Sequence, residues 1–374
     1  MAQQISAYQQ NLMARQNLLM TGISMTKRLQ PVTGSLGDRI RIPLLRMGVM
    51  TGVTLHFSVP VTLATFDSVS PLAPYNLAQQ ITYTDFAGVN RTKTNGFQLW
   101  LAQAMKQGDM LGAIPQMSGG SGSAPTYNYN TNILNLPAAN GSSTIYFSLY
   151  VPMAYDPASD LTGAVLTQTN VGEHYIDVQL PVSLSGADPY TALYGSATAA
   201  TVAANGVTVQ AFQHYIQPQD MTSANLPLLD LSTIYGFEGG YQSSANISAN
   251  QAKFIDLPNN RSIFSTLVMY EENGAFVANE TNISGVTLLA NSNTFFREMT
   301  PRLVREQMRN IINSDAPPSC YYIGSRRQPI LTQLYANVQV KMDVTSATAG
   351  VTQMISQYEV QYPSGSPLPG ITNG

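Results

Sequence analysis

The stretch TGVTLHFSVPVTLATF places the tightest constraint on the fold. Val53, Leu55, Phe57, Val59, Val61 and Leu63 are apolar, and the residues between them are Thr, His, Ser, Pro and Thr. Side chains alternate faces along an extended chain, so this strict period of two specifies a strand with one buried face. Pro60 falls on the polar side, which predicts an edge position or a bulge because proline brings no N–H to a ladder. The pattern returns at Ile145–Val151, His174–Val182 and Leu334–Val344, with shorter candidates at Val207–Tyr215, Ile263–Tyr270 and Ile355–Tyr362. Half-buried strands separated by Gly/Pro/Asn/Ser loops predict an all-β chain of antiparallel sandwiches or barrels.

Helical periodicity interrupts the strands in two internal places. Phe97, Trp100, Leu101, Ala104 and Met105 form a stripe that ends at Gly108. The second helix opens at Thr300-Pro301, an N-cap followed by proline, and carries Val304, Met308, Ile311 and Ile312 before Pro317-Pro318. Each helix follows a group of strand candidates. After each comes a tyrosine, a turn, Leu-Thr and another alternating strand, a pattern that reads as a degenerate duplication of one β module. The expected organisation is an N-terminal amphipathic helix or arm at 1–36, a first module at 37–184, a connector at 185–205, a second module at 206–361 and an arm at 362–374. The connector assignment rests on the small, charge-poor residues of SGADPYTALYGSATAATVAANG. The final arm rests on YPSGSPLPGITNG, which has too little apolar surface to fold alone.

Chemistry-bearing constellations are scarce. The single cysteine, Cys320, excludes an intramolecular disulfide and reads as a small buried apolar residue. His56, His174 and His214 sit on separate strands without ligand spacing. Glu173 and Asp177 alternate away from His174. Asp156 and Asp160 lie in a turn-type DPASD, and Glu271-Glu272 splits across two faces. No histidine or lysine stands beside Ser232 or Thr233 to activate a hydroxyl. No enzyme activity, metal or cofactor is expected. Only 10% of the 374 residues are charged, against roughly 25% in typical soluble domains. Such a surface suits a protein packed against other chains, because interface cores are depleted of charge.

What charge there is lies unevenly. The first 28 residues contain no carboxylate. Through residue 50 six Lys/Arg face only Asp38, whereas the rest of the chain carries twelve basic and twenty acidic residues. Placed on one helix, Ile5, Tyr8, Leu12, Leu19 and Ile23 share a side, with Arg15, Lys27 and Arg28 as the charges. A basic amphipathic segment of this kind suits an anionic lipid surface. Each basic group there contributes on the order of 1 kcal/mol, so attachment is weak per subunit and becomes firm only on assembly. Direct genome binding is not expected, since the body of the protein is net acidic.

Four strings, Val151–Leu166, Asn225–Glu238, Thr94–Gly108 and Pro329–Val340, together with the N-terminus, give the chain a family likeness. It resembles the double jelly-roll major capsid proteins of tailless, internal-membrane bacteriophages of the tectivirus type. The resemblance implies two tandem eight-stranded jelly rolls per chain and a homotrimer forming a pseudo-hexagonal capsomer. It also implies an icosahedral shell, with neighbouring capsomers, internal viral membrane lipids and minor capsid proteins as partners. The virion capsid is then its place, after synthesis in the host cytoplasm. The tail, with Pro363, Pro367, Leu368, Pro369 and Ile371, is expected to reach a neighbouring capsomer. A tandem carbohydrate-binding β-sandwich, with Tyr127 and Tyr129 stacking on sugar, is the alternative from a different class.

Overall fold

A computed structural model describes residues 7–70, 72–107, 116–118, 126–128, 140–167, 172–188, 191–218, 234–242, 252–259, 261–272, 275–276, 283–291, 294–312, 320–324, 329–345 and 352–362. The alternating stretch is a single strand, Val49–Thr65, with Val53 through Leu63 buried at every second position. It is central in a seven-stranded sheet, flanked by Ser142–Pro152 on one side and Val207–Gln217 on the other. Pro60 pairs with Thr144 on the first side. On the second it falls between the last partner of Val207–Gln217, at Ser58, and the first of Ala199–Thr201, at Thr62. The missing N–H is therefore tolerated at a local gap inside a central strand.

A ten-stranded sheet runs through both modules. From one end its order is Arg39–Pro43, Tyr175–Gln179, Gln80–Thr84 and Asn90–Thr94, then Ile234–Gln242, Thr352–Tyr362 and Ser262–Glu272. Cys320–Gly324 pairs on the far side of Ser262–Glu272. A separate four-stranded sheet of the second module has the order Ala252–Asp256, Val338–Val344, Ile283–Ala290, Thr294–Met299. Val338, Val340, Met342 and Val344 are buried while Gln339, Lys341 and Asp343 are half-buried, the signature of a strand with one face on the core. One contiguous apolar cluster extends from Leu29 to Val344 and takes in both modules.

Among the described residues three α-helices accompany the sheets: α1 (Ala7–Thr21), α2 (Gly96–Gln107) and α3 (Pro301–Ile312). The side chain of Asn95 caps α2 by accepting from the Gln98 N–H at 2.8 Å, and Thr300 caps α3 through the Leu303 N–H at 3.3 Å.

Three expectations change. Val207–Gln217 was expected to open the second module, yet it pairs along its length with Val49–Thr65 and belongs to the first module's sheet. Alternation reveals which face of a strand is buried, not which sheet it joins. The expected connector is also structural. Leu193 and Tyr194 are buried in the core, and Ala199–Thr201 pairs with the long strand. Leu334 is 67% exposed at the end of a short 3₁₀ turn, so the last alternating strand begins at Val338.

Candidate assembly surface at the N-terminal end

The N-terminal segment is not one helix. α1 stops at Thr21, and Ile23–Arg28 is a strand paired antiparallel with Val207–Gln217, from Ile23 opposite Gln217 to Arg28 opposite Phe212. Ile23, Lys27 and Arg28 therefore leave the helical face on which the sequence places them. The cause is local. The Gly22 N–H closes the last turn on the Leu18 carbonyl at 2.8 Å, and a Cβ at residue 22 would collide with that carbonyl and with the Ile216 side chain. Ile23 and Thr26, both β-branched, then favour extension.

Among the described side chains of α1, Ala14 and Leu18, one turn apart, are buried. Leu18 enters a small cluster with Val49, Ala154, Leu161, Ala164 and Ile216, and half-buried Leu19 packs beside it. Arg15 donates to the Thr162 hydroxyl at 2.9 Å. The side chains of Tyr8 and Leu12 lie outside what is described, although both residues are helical, and Ile5 is outside the described residues altogether. So are Pro363, Pro367, Leu368, Pro369, Ile371 and Tyr129.

The strand Ile23–Arg28 is an edge, with all six residues exposed. On its outer face Thr26 reaches His214 Nδ1 at 3.0 Å, His214 Nε2 reaches the Thr54 hydroxyl at 2.8 Å, and Arg28 Nε donates to Gln210 Oε1 at 2.9 Å. Burial holds His214 below the usual histidine range. The Gln213 side chain acts as a stand-in for a strand, accepting from the Leu45 N–H at 2.9 Å and donating to its carbonyl at 2.7 Å. That grip leaves the Leu45 side chain 42% exposed. Met13, Met20, Ile23 and Met25 are exposed in the same part of the chain, Met20 by 80%. Met13, Met20, Met25 and Leu45 lie outside the helical face that the sequence predicts. The two-turn spacing of Met13 and Met20, away from Ala14 and Leu18, was the available signal.

The remaining cations of the first fifty residues are held. Arg39 and Arg41 both contact buried Asp177, at 2.5 Å and 3.0 Å, Arg41 also lies over the Tyr175 ring, and Arg46 donates to the Gly172 carbonyl at 2.9 Å.

Among the described residues the histidines, acids and cysteine singled out in the sequence are engaged separately. His174 is buried against Phe86, with ring centroids 4.2 Å apart, while Asp177 faces the arginines. Asp156 and Asp160 accept from backbone N–H groups two residues on, at 2.9 Å each, which is turn chemistry. Burial pushes the Cys320 thiol up to about 12, far from a reactive thiolate. Among the described residues no three His, Cys, Asp or Glu side chains are grouped to hold a metal ion.

Residues 25–219 match the family model described as P3 major capsid protein N-terminal, and residues 232–364 match P3 major capsid protein C-terminal. The first match ends just past Val207–Gln217, in keeping with that strand's place in the first sheet. The chain is 28% identical over 348 residues to major capsid protein P3 of Enterobacteria phage PRD1, covering 88% of this chain and 85% of that protein. Its fold is similar to the STIV MCP of Sulfolobus Turreted Icosahedral Virus, with a TM-score of 0.62 at 11% identity over 94% of this chain and 100% of that one. It is also similar to the major capsid protein P2 from bacteriophage PM2, with a TM-score of 0.52 at 10% identity over 92% and 100% of the two chains. The shared fold is the double jelly roll. These matches carry one conclusion: the chain belongs to the P3 major capsid protein family, a structural and non-enzymatic component of the bacteriophage capsid.

Proposed function

We propose that three copies of this major capsid protein associate into a pseudo-hexagonal capsomer, and that such capsomers tile an icosahedral shell over an internal membrane. The observation that carries this reading is the ten-stranded sheet that unites two modules in one chain, so three chains supply six modules. In this reading the N-terminal end faces lipid. The supporting features are exposed Met13, Met20, Ile23, Met25 and Leu45 beside Lys27 and Arg28, in a segment free of carboxylates. Arg15 contributes less than the sequence suggests, being tied to Thr162. The tail from Pro363 to Gly374 reaches a neighbouring capsomer, its prolines reducing the entropy lost on docking. Minor capsid proteins are further partners. No observation favours the carbohydrate-binding alternative.

The lipid role is tested by deleting residues 1–21, which removes α1 and spares the strand that begins at Ile23. The truncated trimer should bind vesicles of anionic phosphatidylglycerol several-fold more weakly than the full chain, and neither protein should bind neutral phosphatidylcholine. Equal binding to anionic vesicles contradicts the lipid role.

A further inference from the structure

The two modules share a sheet, but their strands are bridged at a single described residue pair, Glu238 opposite Lys93 in parallel. One bridge does not fix an angle. The strand Ile234–Gln242 is instead held on both faces by contacts its sequence arranges. On one face Gly236 lies flush against the first module, where a Cβ would strike the Arg91 carbonyl, and Glu238 contacts Arg261. On the other face Tyr235 and Phe237 are buried.

Lys106, in the last turn of α2, reaches across to that second face. Its ammonium donates to the Tyr155 carbonyl at 2.6 Å and to the Tyr235 hydroxyl at 3.0 Å. The same atom stands 3.6 Å from the centre of the Tyr155 ring and 4.7 Å from that of Tyr235. Phe264 of the second module packs on Tyr155 with centroids 4.7 Å apart and on Tyr235 at 6.4 Å. Lys106 is half-buried, and a cation between two aromatic faces and two oxygens there binds more tightly than a fully exposed pair. Its place at a helix C-terminus adds to the attraction.

We propose that Lys106 is the pin that sets the angle between the two jelly rolls, so that each chain moves and unfolds as one rigid tile. The pin joins a first-module helix, a first-module loop and a second-module strand through one atom, Nζ.

The test compares the full-length wild type with Lys106→Met, which keeps the apolar stem and removes the ammonium, and Tyr235→Phe, which keeps the ring and removes the hydroxyl. Calorimetry of the wild type should give one transition. Lys106→Met should give two, with amide exchange in 234–242 faster by roughly tenfold. Tyr235→Phe should move exchange in the same direction by less, and it decides alone if Lys106→Met does not fold. The pin is contradicted if the wild type already melts in two steps. A single transition in the variants contradicts it too, whether exchange in 234–242 keeps its wild-type rate or rises uniformly along the chain, since Lys106 is then only a stabilising contact. The inference lies within one chain: a monomeric wild type would defeat the trimer proposal and leave the pin standing.

Discussion

Helices α2 and α3 are each twelve residues long, one to a module, yet they are buried very differently. α2 buries Phe97, Gln98, Leu99, Trp100, Leu101, Ala102, Ala104 and Met105, leaving no apolar residue on solvent. α3 buries Pro301, Val304 and Met308, half-buries Ile311, and turns Arg302, Leu303, Glu306 and Arg309 outward. The difference follows from position. α2 touches the second module through Lys106 and Gln98 and the first through Trp100, so it is surrounded. α3 packs on Cys320–Gly324 and Ile283–Ala290 of its own module and also touches α2, yet it keeps one face on solvent as an amphipathic surface helix. Corresponding elements in a two-module chain thus diverge according to how far the rest of the molecule encloses them.

Truncation at α2 should break that comparison most visibly. Trp100 is 5% exposed and stacks on Tyr75 with centroids 4.5 Å apart. Trp100→Ala should cost about 3–5 kcal/mol in denaturant unfolding, enough to lose the folded chain at moderate temperature. A loss below about 1 kcal/mol would mean that the helix tolerates a void and is not the keystone its burial suggests.

Acid provides the second comparison. His56, His174 and His214 all belong to the first module; the second contains no histidine. Burial lowers the His174 imidazole to about 4, whereas the unfolded chain titrates near 6.5. The unfolded state therefore binds more protons between those values, so stability is intact above about pH 6.5 and declines as pH falls through 4. The decline from this group is at most about 3 kcal/mol. In Lys106→Met, with its modules uncoupled, acid should lower the transition reported by Trp100, the only tryptophan, and leave the other in place. Two transitions that shift equally would remove the asymmetry.

Smaller effects sharpen the same contrast on α3. Thr300→Ala removes the cap on the Leu303 N–H and should cost about 1 kcal/mol. Arg302→Ala breaks a pair with Glu306 in which the side chains are 86% and 55% exposed, and should change the melting temperature by no more than about 0.5 kcal/mol allows. A larger effect from the ion pair than from the cap would contradict the surface assignment of this helix.

Much of the fold was legible because its strands obey simple geometry. Val53 to Leu63 and Val338 to Val344 alternate in sequence and alternate in burial. What escaped has physical reasons. Ile23–Arg28 is exposed on both faces, so its pairing leaves no hydrophobic period to read. The periodic stripe of α2 predicts one buried face and misses Leu99 and Ala102, because a stripe cannot reveal that a helix is enclosed by two modules. Nothing in the sequence marks Gly236, and only the path of Arg91 beside it shows that the residue is required for close approach. The docking of Leu18 was not legible either, since Val49 and Ile216, which receive it, lie far off in the chain.

The claim on which the capsid account turns is that the two-module chain is half-symmetric by itself and complete only as three copies. Sedimentation equilibrium of the purified full-length protein tests it most directly. Three chains of 40.4 kDa should sediment together near about 120 kDa across a wide concentration range. A species that remains at the mass of one chain under the same conditions would contradict it.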